Sequence, residues 1–242
     1  MTGASRGIGA AIADSMAAEG ARLVICARTE EPLRNLEQAL TAAGADVLAM
    51  PADVTDDAAV ARLVAAAHER FGALDILVSN ASALAVGPDR ESWRQSIDTD
   101  LMGAVRLCDA VLPHMRRAGG GAVLLVSSVS AIEAAPMDDF GYTAAKAGLL
   151  AYAKKLSLQE ARHGIRVNAL LPGSTDFPGG TWDHVRHVQP DLYAQVVDNI
   201  PLGRMARPEE IADAAVWLVS ARAAWVTGQA LAVDGGQVKG IR

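Results

Sequence analysis

The chain has 242 residues, 51% hydrophobic and 21% charged, with a formal net charge of −6 at pH 7. That balance excludes intrinsic disorder, and the acidic excess argues against a general affinity for nucleic acid or an anionic membrane. At roughly 150 residues per domain the length suits one or two domains, and the longest apolar stretch, around Ala122–Val126, is far too short to span a bilayer.

The chain opens on turn chemistry, Met1-Thr2-Gly3, with no element before it. A helical pattern over Gly9–Glu19 leads into an aliphatic run, Arg22–Ala27, that reads as a buried strand. The alternation continues with helix Glu31–Ala43, strand Asp46–Ala49, helix Asp57–Phe71 and strand Ile76–Ser79. A long helical region, Glu91–Arg116, precedes strand Ala122–Ser127, helix Gly141–Arg162 and strand Arg166–Leu171. Helix Pro208–Leu218 and strand Gln229–Val233 close the series. Local chemistry supports these bounds. Thr55 precedes Asp56 and Asp57 at a helix start, Gly44 and Gly72 follow helical runs, and Pro208-Glu209-Glu210 suits a first turn. Apolar strands alternating with helices imply βαβ units and a parallel sheet covered on both faces, hence a single α/β domain over residues 1–242. Gly173–Pro190 shows no clear element, and residues 173–200 are expected to form a substrate loop or lid. Cys26 and Cys108 lie far apart in apolar settings and read as buried free thiols.

Thr2-Gly3-Ala4-Ser5-Arg6-Gly7-Ile8-Gly9 opens the first helix. Its glycines allow a tight turn and close approach of backbone N–H groups to an anion, and the helix N-terminus favours a pyrophosphate. Tyr142 and Lys146 stand four apart and share one helix face, where a nearby ammonium favours the phenolate form of a phenol. A pair at this spacing taken alone has two readings, a structural one and one in which the phenol moves a proton to or from a reacting oxygen. Ser127-Ser128 ends a strand, where open α/β sheets bind their ligands.

In order and spacing, Thr2–Gly9, Asn80-Ala81, Tyr142-Thr143-Ala144-Ala145-Lys146, Gly164-Ile165-Arg166-Val167-Asn168, Pro172-Gly173 and Asp234-Gly235-Gly236 resemble the short-chain dehydrogenase/reductase family, in particular its 3-oxoacyl-reductase-like members. The resemblance spans essentially the whole chain. It implies a three-layer, Rossmann-type doubly wound parallel sheet, a nicotinamide cofactor and hydride transfer between a carbonyl and a secondary alcohol. It implies that Gly3, Ser5, Arg6, Gly7, Ile8 and Gly9 hold the pyrophosphate, and that Asn80, Ala81, Pro172 and Gly173 line the cofactor. Asp53 and Val54 resemble an adenine-contacting pair, with a helix-capping role the alternative for Asp53. Tyr142 would be the acid/base, Lys146 would also bind the nicotinamide ribose, and Ser128 would donate to the reacting oxygen, ahead of Ser127 and Ser130.

Four positions depart from the family pattern. Arg28 follows the second strand where an acid would bind the ribose of NAD. Together with Arg6 it can clamp a 2′-phosphate, so NADP(H) is expected and NAD(H) is the alternative, with Glu30 and Glu31 competing for Arg28. Ser82 stands where the family usually has glycine. Asp100 stands where it has the asparagine that holds a water beside the lysine, and is expected to keep that relay with an added charge. Phe177 stands where it often has a threonine, for which Ser174 or Thr175 would substitute.

The expected substrate wall is Leu84, Val86, Ile132, Met137, Phe177 and Trp182, with Glu133 and His184 as polar contributors. His184 and His187 lack a third ligand, so no metal is expected. The expected partners are a small carbonyl or alcohol substrate and further copies of the chain, as a homotetramer or homodimer, in the cytoplasm. Competing readings are a nucleotide-binding regulatory protein and epimerisation or dehydration on the same fold. Within oxidoreductases, a 3-oxoacyl thioester reductase competes with a secondary-alcohol or steroid-type dehydrogenase. A glycine turn of this kind follows a central strand in the family, so the first strand is expected to be missing here, with a natural start about ten residues upstream.

Overall fold

A computed structural model describes residues 1–134 and 137–240. The described strands are β1 (Leu23–Ala27), β2 (Val47–Pro51), β3 (Ile76–Ser79), β4 (Gly121–Val126), β5 (Ile165–Pro172) and β6 (Ala230–Val233). Every strand pairing is parallel: β1 with β2, and β3-β4-β5-β6 in that order. The helices are α1 (Gly7–Ala18), α2 (Glu30–Ala42), α3 (Asp57–Phe71), α4 (Arg90–Ser96), α5 (Gly103–Ala118), α6 (Phe140–Glu160), α7 (Thr181–Val188), α8 (Pro190–Asp198) and α9 (Pro208–Val219).

Alternate strand residues face opposite layers, as the two-residue period requires. Val123 and Leu125 of β4 pack with Leu63 of α3, Leu107 of α5 and Leu149 of α6. Ala122, Leu124 and Val126 pack on the other face with Ile12 of α1, Leu33 of α2 and Ile211 of α9. A sheet covered on both sides follows from strands that are apolar at most positions on both faces, with Ser79, Arg166 and Asn168 the polar exceptions, and the fold is the expected three-layer α/β arrangement.

Local chemistry sets the helix ends. Asp56, rather than Thr55, caps α3 by accepting from the Ala58 N–H at 2.8 Å, and Gly72 ends it in the left-handed conformation. Arg166 reaches out of β5 and donates to the carbonyls of Leu218, Val219 and Ser220 at the end of α9, and to that of Val226. The region expected to be a loop differs: Thr181–Val188 and Pro190–Asp198 are helical. Neither helix contains a fully buried residue, and their apolar side chains, among them Trp182, Leu192 and Val196, are only partly covered.

Between β1 and β3 lies a seam. Over most of their length no strand separates them among the described residues, and only Met1 and Thr2 occupy its upper end. The Cys26 N–H donates to Met1 O at 2.9 Å, and the Thr2 N–H to Val78 O at 3.1 Å. The two sheets therefore join at the carboxyl ends of their strands, where the ligand site of such folds lies.

Candidate active site

A cavity of about 1030 Å³ opens over those strand ends. Its floor is the glycine turn. Gly3 and Gly7 have φ of +66° and +55°. A Cβ on Gly9 would lie 2.0 Å from Gly3 O, so only glycine fits there. Asn80 locks this turn to β3, donating from Nδ2 to Gly3 O at 3.0 Å, while the Thr2 hydroxyl accepts from the Asn80 and Ala81 N–H groups. α1 then starts with no acidic residue in its first turn. Bare N–H groups, close glycine backbone and room for an extended ligand fit a dinucleotide pyrophosphate.

Ser5, Arg6, Ile8, Arg28, Asp53 and Val54 line one half of the cavity. Arg28 is exposed, and among the described residues no acid claims it: Glu30 pairs with Arg34 instead. The expected two-arginine clamp is modified, because the Arg6 guanidinium donates to Gly179 O at 3.2 Å. Asp53 accepts from the Thr55 N–H and hydroxyl, each at 2.9 Å, and so braces a turn ahead of α3 without capping it. Gly7 does not line the cavity; the Phe177 ring lies where a Gly7 Cβ would be, with its nearest atom 2.4 Å away. Pro172 at the end of β5 and Gly173, Ser174 and Thr175 beyond it line the cavity, with the Thr175 hydroxyl donating to Gly173 O at 3.0 Å.

At the centre Tyr142 and Lys146 project from α6, with the Lys146 ammonium 5.5 Å from the centre of the tyrosine ring. Lys146 is almost wholly buried. Its Nζ donates to Val126 O at 3.0 Å and meets Asp100 Oδ1 at 3.0 Å. Burial lowers its affinity for a proton, the Asp100 carboxylate and then Tyr142 raise it, and the balance is upward. Asp100 comes from a π-helical segment, Ile97–Met102, between α4 and α5. It is expected to hold a relay water but is a direct ion-pair partner of the lysine. Ser127, Ser128 and Ser130 all border the cavity; the Ser127 hydroxyl is taken up in a donation to Lys146 O at 2.9 Å, whereas the Ser128 hydroxyl lies 3.2 Å from that of Ser130.

The remaining wall contains Leu84, Val86, Glu133, Met137, Phe177 and Trp182. Ile132 packs against the core and His184 lies off the cavity, contrary to expectation. Leu192 and Val196 of α8, with Asn199 and Lys239, complete the wall. They escape the sequence reading because two segments far apart in the chain converge only in space. Among the described residues, no group of acidic, cysteine or histidine side chains has metal-site geometry, and no helix is long and apolar enough to cross a membrane. Both cysteines are free and buried, and burial pushes the Cys108 thiol up to about 12.

A family model described as enoyl-(acyl carrier protein) reductase matches residues 3–237. The cis-4-hydroxycyclohexanecarboxylate dehydrogenase of Sinomonas cyclohexanicum is 40% identical, with 98% of this chain and 94% of that protein aligned. The 3-oxoacyl-[acyl-carrier-protein] reductase of Escherichia coli is 35% identical, over 98% and 95%. A solved structure of a variant actinorhodin polyketide ketoreductase with NADPH superposes with a TM-score of 0.91 at 33% identity, covering 98% of this chain and 95% of that one. Likeness of this extent, in sequence and in backbone, has one reading: the chain belongs to the short-chain dehydrogenase/reductase family.

Proposed function

We propose that this protein is an NADP(H)-dependent oxidoreductase that interconverts a ketone and a secondary alcohol, with Tyr142 as acid/base. The observation that carries this is the Tyr142 ring beside the buried Lys146 ammonium at the junction of the cavity's two halves. In the direction of reduction the Tyr142 hydroxyl gives its proton to the carbonyl oxygen, and the Ser128 hydroxyl donates a hydrogen bond to the same oxygen as it gains charge. A nicotinamide held there would supply the hydride, or accept it in the reverse direction. Lys146 keeps a positive charge beside the phenol, and Val126 O and Asp100 fix its direction. Gly3, Ser5 and Ile8 would hold the pyrophosphate, and the free Arg28 supports a preference for the 2′-phosphate.

Leu84, Val86, Met137, Trp182, Leu192 and Val196 favour a medium-sized, largely apolar substrate, and the segment 173–200, with its helices α7 and α8, acts as its cover. The name of the Sinomonas relative fits this reading, since its substrate is an alicyclic secondary alcohol. A 3-oxoacyl thioester is the second reading, favoured by the Escherichia coli relative. Fully exposed Trp225, with Leu158 and Leu202 about 70% exposed, supports a homo-oligomer. The test is NADPH absorbance across a panel of cyclic ketones, 3-oxoacyl thioesters and enoyl thioesters, with Tyr142→Phe as control. Turnover of cyclic ketones abolished by Tyr142→Phe supports the proposal. Binding of NADPH without turnover of any member would replace it with a regulatory role.

A further inference from the structure

Two departures from the family pattern, Ser82 and Asp100, meet in space. They lie on different elements, the loop after β3 and the π-helical segment, yet the Ser82 hydroxyl donates to Asp100 Oδ1. This is the same oxygen that Lys146 approaches at 3.0 Å. The other carboxylate oxygen accepts from the Ala83 N–H at 2.9 Å. The Asp100 side chain is completely buried, and its charge is compensated by the lysine, a hydroxyl and a backbone amide.

Ser82 is joined on its other side to the substrate wall. Its oxygen accepts from the Leu84 N–H at 3.1 Å. Leu84 is the one non-glycine residue with positive φ among the described residues, at +46°. A branched side chain is strained there, and such strain persists only where neighbouring contacts hold it. The Leu84 side chain lines the cavity. Asp100, Ser82 and Leu84 thus form one chain of contacts from the lysine to the wall.

We propose that Ser82 is a positioning residue that makes Asp100 and the Leu84 wall a single unit, its hydroxyl fixing the carboxylate against Lys146 and its oxygen fixing the Leu84 turn. This rests on the acid/base reading of Tyr142 and Lys146. Both Asp100 oxygens act as acceptors, so an asparagine cannot replace the aspartate alone. If its oxygen faces Lys146 and Ser82, its NH₂ faces the Ala83 N–H, donor against donor. Glycine at position 82 removes one donor and frees the loop to turn the Ala83 N–H away. The residues at 82 and 100 therefore depend on each other. Asp100 and Tyr142 are the titratable groups that act on Lys146, and the nearby Asp98 is engaged by Arg106.

The test is a double-mutant cycle on the intact protein: Ser82→Gly, Asp100→Asn and both together, each with kcat and KM profiles against pH. The loss of kcat in the double variant is expected to be smaller than the product of the single losses by about tenfold, as for groups in contact. Ser82→Ala removes only the hydroxyl. It is expected to shift the pH profile of kcat and raise KM for the carbonyl substrate, while NADPH binding stays within twofold of the parent, a value on the order of experimental scatter. Losses that simply multiply, or a Ser82→Ala profile and KM that overlay the parent's, overturn the proposal. If Asp100→Asn does not fold, Ser82→Ala alone decides by those two readouts. Retained activity in Tyr142→Phe would instead sink the acid/base reading, and the cycle on unfolding stability would still report whether Ser82 and Asp100 are coupled.

Discussion

Lys146 Nζ lies 3.0 Å from Asp100 Oδ1, and neither side chain reaches solvent to any useful extent. The folded chain holds the lysine proton more tightly than a free lysine does: burial opposes it, and the Asp100 charge and then Tyr142 outweigh burial. Stability from this pair is therefore complete below the ordinary lysine pKa, about 10.4, and is lost as pH rises through the folded-state value. Asp100→Asn leaves the burial and removes the main opposing charge, so the Lys146 pKa falls below its unfolded value. The unfolded variant then binds more protons than the folded one, and its stability rises with pH toward about 10.4. Urea unfolding should show the parent more stable by about 3–5 kcal/mol near neutrality, with the gap narrowing as pH rises. A gap independent of pH would contradict the ion pair.

Tyr142 and Ser128 both face the cavity, with different tasks. Tyr142→Phe removes the transferable proton and should lower kcat about 10²- to 10⁴-fold. Ser128→Ala removes one donor to the developing oxyanion and should cost about 10²- to 10³-fold. Neither should change NADPH affinity appreciably in a fluorescence titration, because the phosphate turn is untouched.

Arg28 and Arg6 should prove unequal. Arg28 has no acidic partner among the described residues, whereas Arg6 is engaged with Gly179 O. Arg28→Asp should weaken NADPH about tenfold or more and leave NADH equal or tighter, about 1.4 kcal/mol of discrimination. Arg6→Ala should affect NADPH less, its main effect being release of the loop at Gly179. Equal NADPH and NADH dissociation constants in the parent would refute the cofactor assignment.

Arg166 is a structural counterpart. Its guanidinium caps the last turn of α9 and holds Val226 O. Arg166→Met keeps the bulk and strands those carbonyls. The expected loss is about 2–4 kcal/mol, seen as a Tm lower by about 5–15 °C, with catalysis in the surviving folded fraction unchanged.

The parts of the fold that the sequence reveals are those that bury a face. Ile76–Ser79 and Asp57–Phe71 have the expected bounds because apolar runs, an N-terminal acid and Gly72 all agree. α7 and α8 lie between prolines and glycines and bury nothing fully, so their apolar positions mark no core-facing helix. Tyr142, Lys146 and Ser128 are legible because one helix turn and one strand end place them. Asp100 is legible as a departure, but its direct contact with Lys146 is not. The π-helical turn, which inserts an extra residue per turn, aims it inward, and no residue type marks such a turn. The pairing of Ser82 with Asp100 joins segments 18 residues apart and needs coordinates.

Phe177 sits against Gly7, and Trp182, shortly after it, lines the substrate half of the cavity. One short segment therefore touches both halves. A dinucleotide on the glycine turn lies beside this ring, so a movement of the ring on binding also reshapes the pocket in which the carbonyl must lie. Turnover should follow a compulsory order, cofactor on first and off last, with the oxidised and reduced cofactors the only mutually competitive pair in product inhibition. Phe177→Ala, which frees the turn, should make the order random.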